Sequence, residues 1–311
     1  MRYRVSSTGT SSSGTTSSPG SASIRFRPLA IAPDSQSKIE VDAYFSPPTD
    51  IQKFHKEFPV PHALYVKLKD GLRVWSSSGC ARTKGLKHKI KAKDPQRDLV
   101  LESLLKARII EPSPHQKGIP RFCGTFFLVS RPGSKVRPIA DFSALTRVIE
   151  APKFTLKSVY QVVNDYNWPN HLWYTKLDLK QAFCNINLHP KTHFMTTFGY
   201  GGKFYHFTRM PFGLSITPYI QQSLLNCVLA FIKRHTKYTY GHLDDLIIVH
   251  QDRRKLQVLI DVLRAKLRNA GWVINSKKSE LNPVKKIKFL GANWDELGII
   301  RDKEATRFTR E

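Results

Sequence analysis

An α+β fold is expected for this 311-residue sequence from three features. Short apolar runs bounded by Gly, Pro, Asn or Asp come in pairs, as hairpins require. Apolar residues at helical spacing lie between those pairs, framed by caps and breakers. Strands and helices are mixed along the chain, so helices packed on one face of an antiparallel sheet are the architecture to expect.

Regular structure starts at Asp94-Pro95, an N-cap followed by Pro at the first helical position. Leu99, Leu101, Leu104, Leu105, Ile109 and Ile110 continue that helix until Glu111-Pro112. A strand is expected over 122–130. Arg131-Pro132-Gly133-Ser134 suits a tight turn, because Pro presets φ and Gly accepts a positive φ, and 135–141 returns as the partner strand. Thr155 is read as the cap of a helix to about residue 166. A strand over 172–178 ends in an acid and leads into a short helical segment at 179–183. Residues 193–198 and 204–208 form a hairpin across Gly201-Gly202. Thr217-Pro218 opens an apolar helix to about residue 234. Strands at 239–243 and 246–250 are joined by Asp244-Asp245. Asp252 caps a helix that Gly271 ends at C′, and 272–275 and 286–294 are further strands.

The chain carries 50 Lys+Arg against 24 Asp+Glu, a formal net charge of +26, so a polyanionic partner is expected, nucleic acid before an acidic membrane. The hydrophobic fraction of 41% supports a real core. No apolar run reaches the ~20 residues of a membrane helix, and no secretory signal opens the chain. Cys80, Cys123, Cys184 and Cys227 form no Cys-x-x-Cys pair, which argues against a structural zinc site or a disulfide framework. Residues 1–23 are read as a disordered tail or linker, since 6–23 contain only Ser, Thr, Gly, Pro and Ala. Residues 24–93 are a basic N-terminal extension of uncertain fold, with a run of Lys and Arg between Arg82 and Arg97.

In so basic a chain, adjacent acids need a reason. Asp244-Asp245 lies between the apolar runs 240–243 and 246–249, and Asp178 ends another apolar strand. If those strands are neighbours, the three carboxylates meet at one sheet edge. Adjacent carboxylates repel, and a hard divalent cation relieves that repulsion. Three of them suit two metal ions in an in-line nucleotidyl transfer. Alone, Asp-Asp reads first as an ordinary hairpin turn.

The surrounding residues form a series. Lys135-Val-Arg137-Pro-Ile-Ala-Asp141-Phe142, Trp173-Tyr-Thr-Lys-Leu-Asp178-Leu-Lys-Gln-Ala-Phe183, Met210-Pro-Phe-Gly213-Leu-Ser-Ile-Thr-Pro218, His242-Leu-Asp244-Asp245, Asn269-Ala-Gly-Trp-Val-Ile-Asn-Ser-Lys277-Lys278 and Lys288-Phe-Leu-Gly291 occur in that order. Together they closely resemble the motifs of retroelement and viral reverse transcriptases (retroviral, LTR-retrotransposon and hepadnavirus-like) over about residues 95–295. The resemblance implies a right-hand polymerase: fingers at 94–172, a palm at 173–295 with an antiparallel sheet backed by helices, and 296–311 as the start of a truncated C-terminal region, the thumb being absent or truncated.

It also implies roles. Asp178 and Asp244 would bind two Mg²⁺ ions (or Mn²⁺), the Leu179 carbonyl would add a ligand, and Asp245 would tune the site and touch a metal or the primer end. Gln181 and Ala182 would turn backbone N–H groups to the triphosphate, Arg131 and Arg137 would clamp it, and Phe212 would border the nucleotide where many retroviral enzymes carry Gln. Phe183 would stack under the sugar and exclude a 2′-hydroxyl. Lys277 or Lys278 would protonate the leaving pyrophosphate. Gly213 would let the backbone approach the template, His242 stands where the family usually has Tyr, and Phe289, Leu290 and Gly291 would form the hairpin against the primer.

The implied partners are an RNA or DNA template–primer, dNTPs, and thumb and RNase H domains of a longer polyprotein, with no membrane. The implied location is intracellular, in cytoplasm or a virus-like particle. The implied activity is template-directed DNA synthesis. The competing reading is a weak or inactive polymerase-like domain that binds nucleic acid without chemistry.

Overall fold

The computed structural model describes residues 47–74, 95–114, 120, 122–129, 137–146, 149, 151–158, 161–162, 169, 171–180, 185–211, 213–295 and 298–300. Residues 1–46, residues 82–94 of the basic run and the turn at 131–134 lie outside them.

Helix α1 (Ile51–Glu57) is capped by Asp50, whose side chain accepts from Gln52 N and Lys53 N, and α2 (His62–Leu68) follows. Of the uncertain extension, this part has a clear anchor. Phe54 packs on Trp272 at 4.9 Å between centroids, Phe58 on Phe231 at 5.9 Å, and Trp272 Nε1 donates to Thr49 Oγ1 at 3.1 Å.

Helix α3 (Pro95–Lys106) stops earlier than its apolar pattern suggests. Arg108 adopts φ 51, Ile109 N donates to Leu104 O and Arg108 N to Leu105 O, a Schellman closure. Ile110, expected in the helix, opens strand β1 (Ile110–Pro112). A five-stranded sheet has the order β1, β6 (Lys203–Phe207), β5 (Thr197–Tyr200), β2 (Gly124–Val129), β3 (Arg137–Asp141), with only the β2–β5 pair parallel. The chain therefore returns to the first sheet after strand β4 (Trp173–Asp178). The two sheets thus interleave in sequence, β5 and β6 of the first following β4 of the second.

Other boundaries also differ from expectation. Residues 190–196 form a 3-10 helix in which Thr192 and Thr196 hydroxyls donate to the His189 and His193 carbonyls, so β5 begins only at Thr197. A short helix α4 spans Ser143–Thr146. The cap expected at Thr155 is formed by Ser158: its N–H donates to Gln161 Oε1 at 2.8 Å and its Oγ accepts from Gln161 N at 3.3 Å, a capping box.

A second sheet has the order β7 (Thr239–His242), β8 (Asp245–His250), β4, β9 (Glu280–Val284), antiparallel throughout. Side chains alternate between its faces. Leu177, Leu246 and Ile248 point to helices α5 (Thr217–Ile232) and α6 (Arg253–Asn269), meeting Leu224, Leu225, Val228, Ile260 and Leu263 in the main core. Tyr174, Ile247 and Val249 point the other way. There a three-stranded sheet of β10 (Ile287–Phe289), β11 (Ala292–Asp295) and β12 (Gly298–Ile300) covers them with Phe289 and Trp294. Coverage on both faces explains why β8 reads as an unbroken apolar run.

Helix α6 is capped by Asp252, which accepts from Arg254 N and Lys255 N, and is followed by Gly271 at φ 79, as the sequence predicts. Residues 272–275 form no strand; Ile274 makes a single bridge to Leu179. The real fourth strand, β9, carries Pro283, which an edge strand tolerates. The run 286–294 is two strands with Leu290 (φ 48) and Gly291 (φ 80) at the turn.

Candidate active site

The ladder registers build the site. Asp178 is the Cα partner of Asp245 across β4–β8, and Asp245 that of His242 across β7–β8. His242, Asp245 and Asp178 thus form a row across three strands on the face not covered by helices. One row further along the same face are Tyr240, Ile247 and Lys176. The hairpin tip is Leu243-Asp244, not Asp244-Asp245, since Asp245 already pairs in β8. Leu243 sits at φ 57, a sparsely populated region for a branched residue.

Three contacts from α5 hold this tip. Gln222 Oε1 accepts from Leu243 N at 2.9 Å, Gln222 Nε2 donates to Gly241 O at 3.1 Å, and Gln221 Nε2 donates to Leu243 O at 3.3 Å. Leu179 N donates to Asp244 O at 2.8 Å, which ties the end of β4 to the tip. Residues 275–279 wrap Asp178: its N–H donates to Ser279 Oγ at 2.9 Å and its carbonyl accepts from Asn275 N at 2.8 Å. The helical segment expected from Leu179 does not begin there, because Leu179 pairs with Ile274 and Lys180 N donates to Val273 O.

All three carboxylates are half-buried. Burial, and then the charge of Asp178, raise the Asp245 pKa, against the opposing cations Lys176 and Lys278. Lys277 and Lys278 are both exposed on the 275–279 turn, and Lys278 Nζ lies 3.8 Å from Asp178 Oδ2. Lys176 Nζ donates to Lys288 O at 3.3 Å, bridging to the β10–β11 hairpin. Burial lowers the His242 pKa, opposed by Asp245, and its Nδ1 lies 3.3 Å from the Tyr240 hydroxyl. Among the described residues no three His, Cys, Asp or Glu side chains stand in a ready-made metal cage. The donor chemistry nonetheless suits a hard divalent cation: half-buried oxygen donors, with Asp245 raised by burial and then by the Asp178 charge, and an ammonium drawn to Asp178.

The fold thus brings together Asp178, Leu179, His242, Asp244, Asp245 and Lys278. Phe289, Leu290 and Gly291 form the expected hairpin, with the Phe289 ring turned into the core against Trp294. Gly213 has φ 93, and a Cβ there would overlap the Ala140 carbonyl oxygen of β3. The close approach it permits in this structure is to a neighbouring strand. Arg137 pairs with Val129 through its backbone, and its side chain is outside the described set, as are Arg131, Gln181, Ala182, Phe183 and Phe212. Sequence reasoning missed Gln221, Gln222, Ser279 and Lys176. The first two carried a signal, adjacent amides inside an otherwise apolar helix.

Residues 129–294 match the family described as reverse transcriptase (RNA-dependent DNA polymerase). Protein P of duck hepatitis B virus (strain United States/DHBV-16) is 27% identical over 186 residues, 57% of this chain and 22% of that protein. The retrovirus-related Pol polyprotein from transposon 412 of Drosophila melanogaster is 26% identical over 209 residues, 65% of this chain and 16% of that protein. The chain therefore spans about a fifth of the length of these relatives. The fold matches the foamy viral protease-reverse transcriptase solved with dsDNA, at TM-score 0.60 and 18% identity, covering 85% of this chain and 58% of that one. It also matches the same viral protein solved with an RNA/DNA hybrid, at TM-score 0.54 and 16% identity, covering 83% of this chain and 36% of that one.

Proposed function

The chain belongs to the reverse transcriptase (RNA-dependent DNA polymerase) family, and from that premise we propose that it supplies the fingers and palm of an enzyme that extends a DNA primer on an RNA or DNA template. The observation that carries this reading is the β4–β8 register, which sets Asp178 opposite Asp245 while Leu179 N holds the Asp244 carbonyl at 2.8 Å.

Asp178 and Asp244, with the Leu179 carbonyl, are the residues that would hold two Mg²⁺ ions. Bound there, the metals would activate the primer 3′-hydroxyl for in-line attack on the α-phosphate and balance charge on the departing pyrophosphate. Asp245 adds negative charge beside Asp178 without sharing the hairpin tip, which fits a tuning role. Lys278 is the stronger candidate to protonate pyrophosphate, because its ammonium is the one that reaches the acids. Phe183, five residues beyond Asp178, is the residue proposed to exclude a 2′-hydroxyl from the sugar site. Arg131, Arg137, Gln181, Ala182 and Phe212 border the nucleotide in this reading, and the Phe289–Gly291 hairpin holds the primer end beside Lys176. Thumb and RNase H domains of a longer polyprotein complete the partners, and the site of action is the cytoplasm or a virus-like particle. Among the described residues no helix is long and apolar enough to cross a membrane.

Primer extension on an RNA template with dNTPs and Mg²⁺ tests the reading, with a downstream segment supplied in trans where the chain alone is silent. Asp244→Asn is expected to abolish extension and leave salt-dependent RNA binding nearly unchanged. Loss of binding instead would make the acids structural and overturn the assignment.

A further inference from the structure

Away from the acids, a cavity of about 320 Å³ opens where α2, residues 151–152 and the start of α5 meet. Its apolar lining is the buried Leu72, Ile216 and Ile220 with Ala151 and the exposed Pro152, and the exposed cations Lys67 and Arg73 also line it. Among the described residues none that lines it is acidic. Tyr219 forms one wall and meets the exposed Phe154 edge to face at 5.7 Å between centroids. The Arg73 guanidinium is held in place, Nη2 lying 3.1 Å from His189 Nε2. That volume is at the lower end of the ~300–1,000 Å³ range for small-molecule sites, so it suits one planar group and not a large cofactor or a duplex.

An apolar slot with an aromatic wall and two cations at its mouth matches one ligand chemistry, a nucleobase attached to a phosphodiester. Aromatic walls accept any base face, while cations follow the backbone. We infer that this cavity seats one nucleobase of a single-stranded nucleic acid, its phosphates on Lys67 and Arg73. Both cations come from the N-terminal segment that precedes the family match at 129–294. The extension thereby gains a role as a single-strand contact separate from the acidic row. The inference leans on the polymerase reading only for the source of the strand.

The test is fluorescence anisotropy of the full chain with a labelled RNA of about 12 nucleotides, within the usual site size. EDTA is present, so the carboxylates contribute no metal-dependent binding. Wild type, Ala151→Phe (which fills the slot from its rim), Tyr219→Ala (which removes the wall) and Lys67→Gln/Arg73→Gln are each titrated with the RNA and with an all-abasic strand of equal length. Ala151→Phe and Tyr219→Ala should each weaken the base-bearing strand by roughly tenfold and leave the abasic strand within about twofold. The double Gln variant should weaken both strands. Equal losses on the two strands, or none, would overturn the slot. Uridine monophosphate competing as well as the strand would overturn a strand ligand. Thermal unfolding of each variant screens for misfolding, and because Ala151→Phe and Tyr219→Ala change volume in opposite senses, a packing defect in one leaves the other informative. Failure here with primer extension intact would remove the slot and keep the polymerase reading.

Discussion

Asp178 and Asp245 are direct partners across the β4–β8 ladder, both on the face turned away from the helices. Asp244 reaches the same region by a different route, from the hairpin tip, with its carbonyl fixed by Leu179 N. Two of the acids are therefore positioned by sheet register and one by a turn.

The Asp178–Asp245 pairing stores repulsion, since burial and then the Asp178 charge raise the Asp245 pKa. A carboxyl whose pKa is higher folded than unfolded binds more protons in the native state, so stability falls as pH rises from the unfolded value, about 3.9, through the folded one. Asp245→Asn should thus raise the metal-free Tm at pH 7 by roughly 2 °C, and the gain should vanish below the unfolded pKa. Scanning calorimetry across pH checks this, and added Mg²⁺ should stabilise wild type more than the variant.

Gln222 braces the strained tip with one acceptor and one donor. Gln222→Ala leaves Leu243 N and Gly241 O without these partners, at a cost of about 1–3 kcal/mol. Extension should fall about 100-fold, as expected for a displacement near 1 Å, while RNA affinity stays within about twofold. Single-turnover extension and a parallel binding titration separate the two effects.

Gly213 combines a positive φ of 93 with contact against the Ala140 carbonyl. Gly213→Ala should destabilise the chain by more than about 2 kcal/mol, from backbone strain plus overlap. Urea unfolding measures it. A loss confined to nucleic-acid affinity, with unchanged stability, would return Gly213 to a template-contacting role.

His206 is buried in β6, stacked on His193 with centroids 5.0 Å apart, its Nε2 3.8 Å from Glu111 Oε2. Burial, then His193, lower its pKa, with Glu111 opposing. The unfolded state then binds more protons, so stability is intact above the unfolded value near 6.5 and declines as pH falls toward the folded one. His206→Gln should flatten the dependence of Tm on pH between about 5 and 7. An unchanged slope would assign it to other groups.

Features set by short-range sterics and capping were legible in the amino-acid order. Asp252 before α6, Gly271 after it and Thr217-Pro218 at the start of α5 each act within one helical turn. The resemblance of six ordered motifs likewise required no coordinates. Thr155 has the residue type of a cap, but Ser158 has the partner a capping box demands, Gln161 three residues on. Strand β9 was hidden because Pro283 argues against a strand until its edge position is known.

Primary structure therefore indicates most of the elements, the strong excess of positive charge and Asp178, Asp244 and Asp245 as the candidate acids, while several element types and bounds follow from tertiary contacts. Tertiary structure decided that Asp178 faces Asp245, that Gln221 and Gln222 hold the tip, and that residues 197–207 rejoin the first sheet. A one-residue slip of β4 against β8 would turn Asp178 toward the helices and bury it in the apolar core. That slip is resisted by Tyr174, Ile247 and Val249 packing under Phe289 and Trp294 on one face, and by Leu177, Leu246 and Ile248 under the helices on the other. Local signals specify a strand, whereas its register depends on how both faces are covered, and those covering residues are far away in sequence.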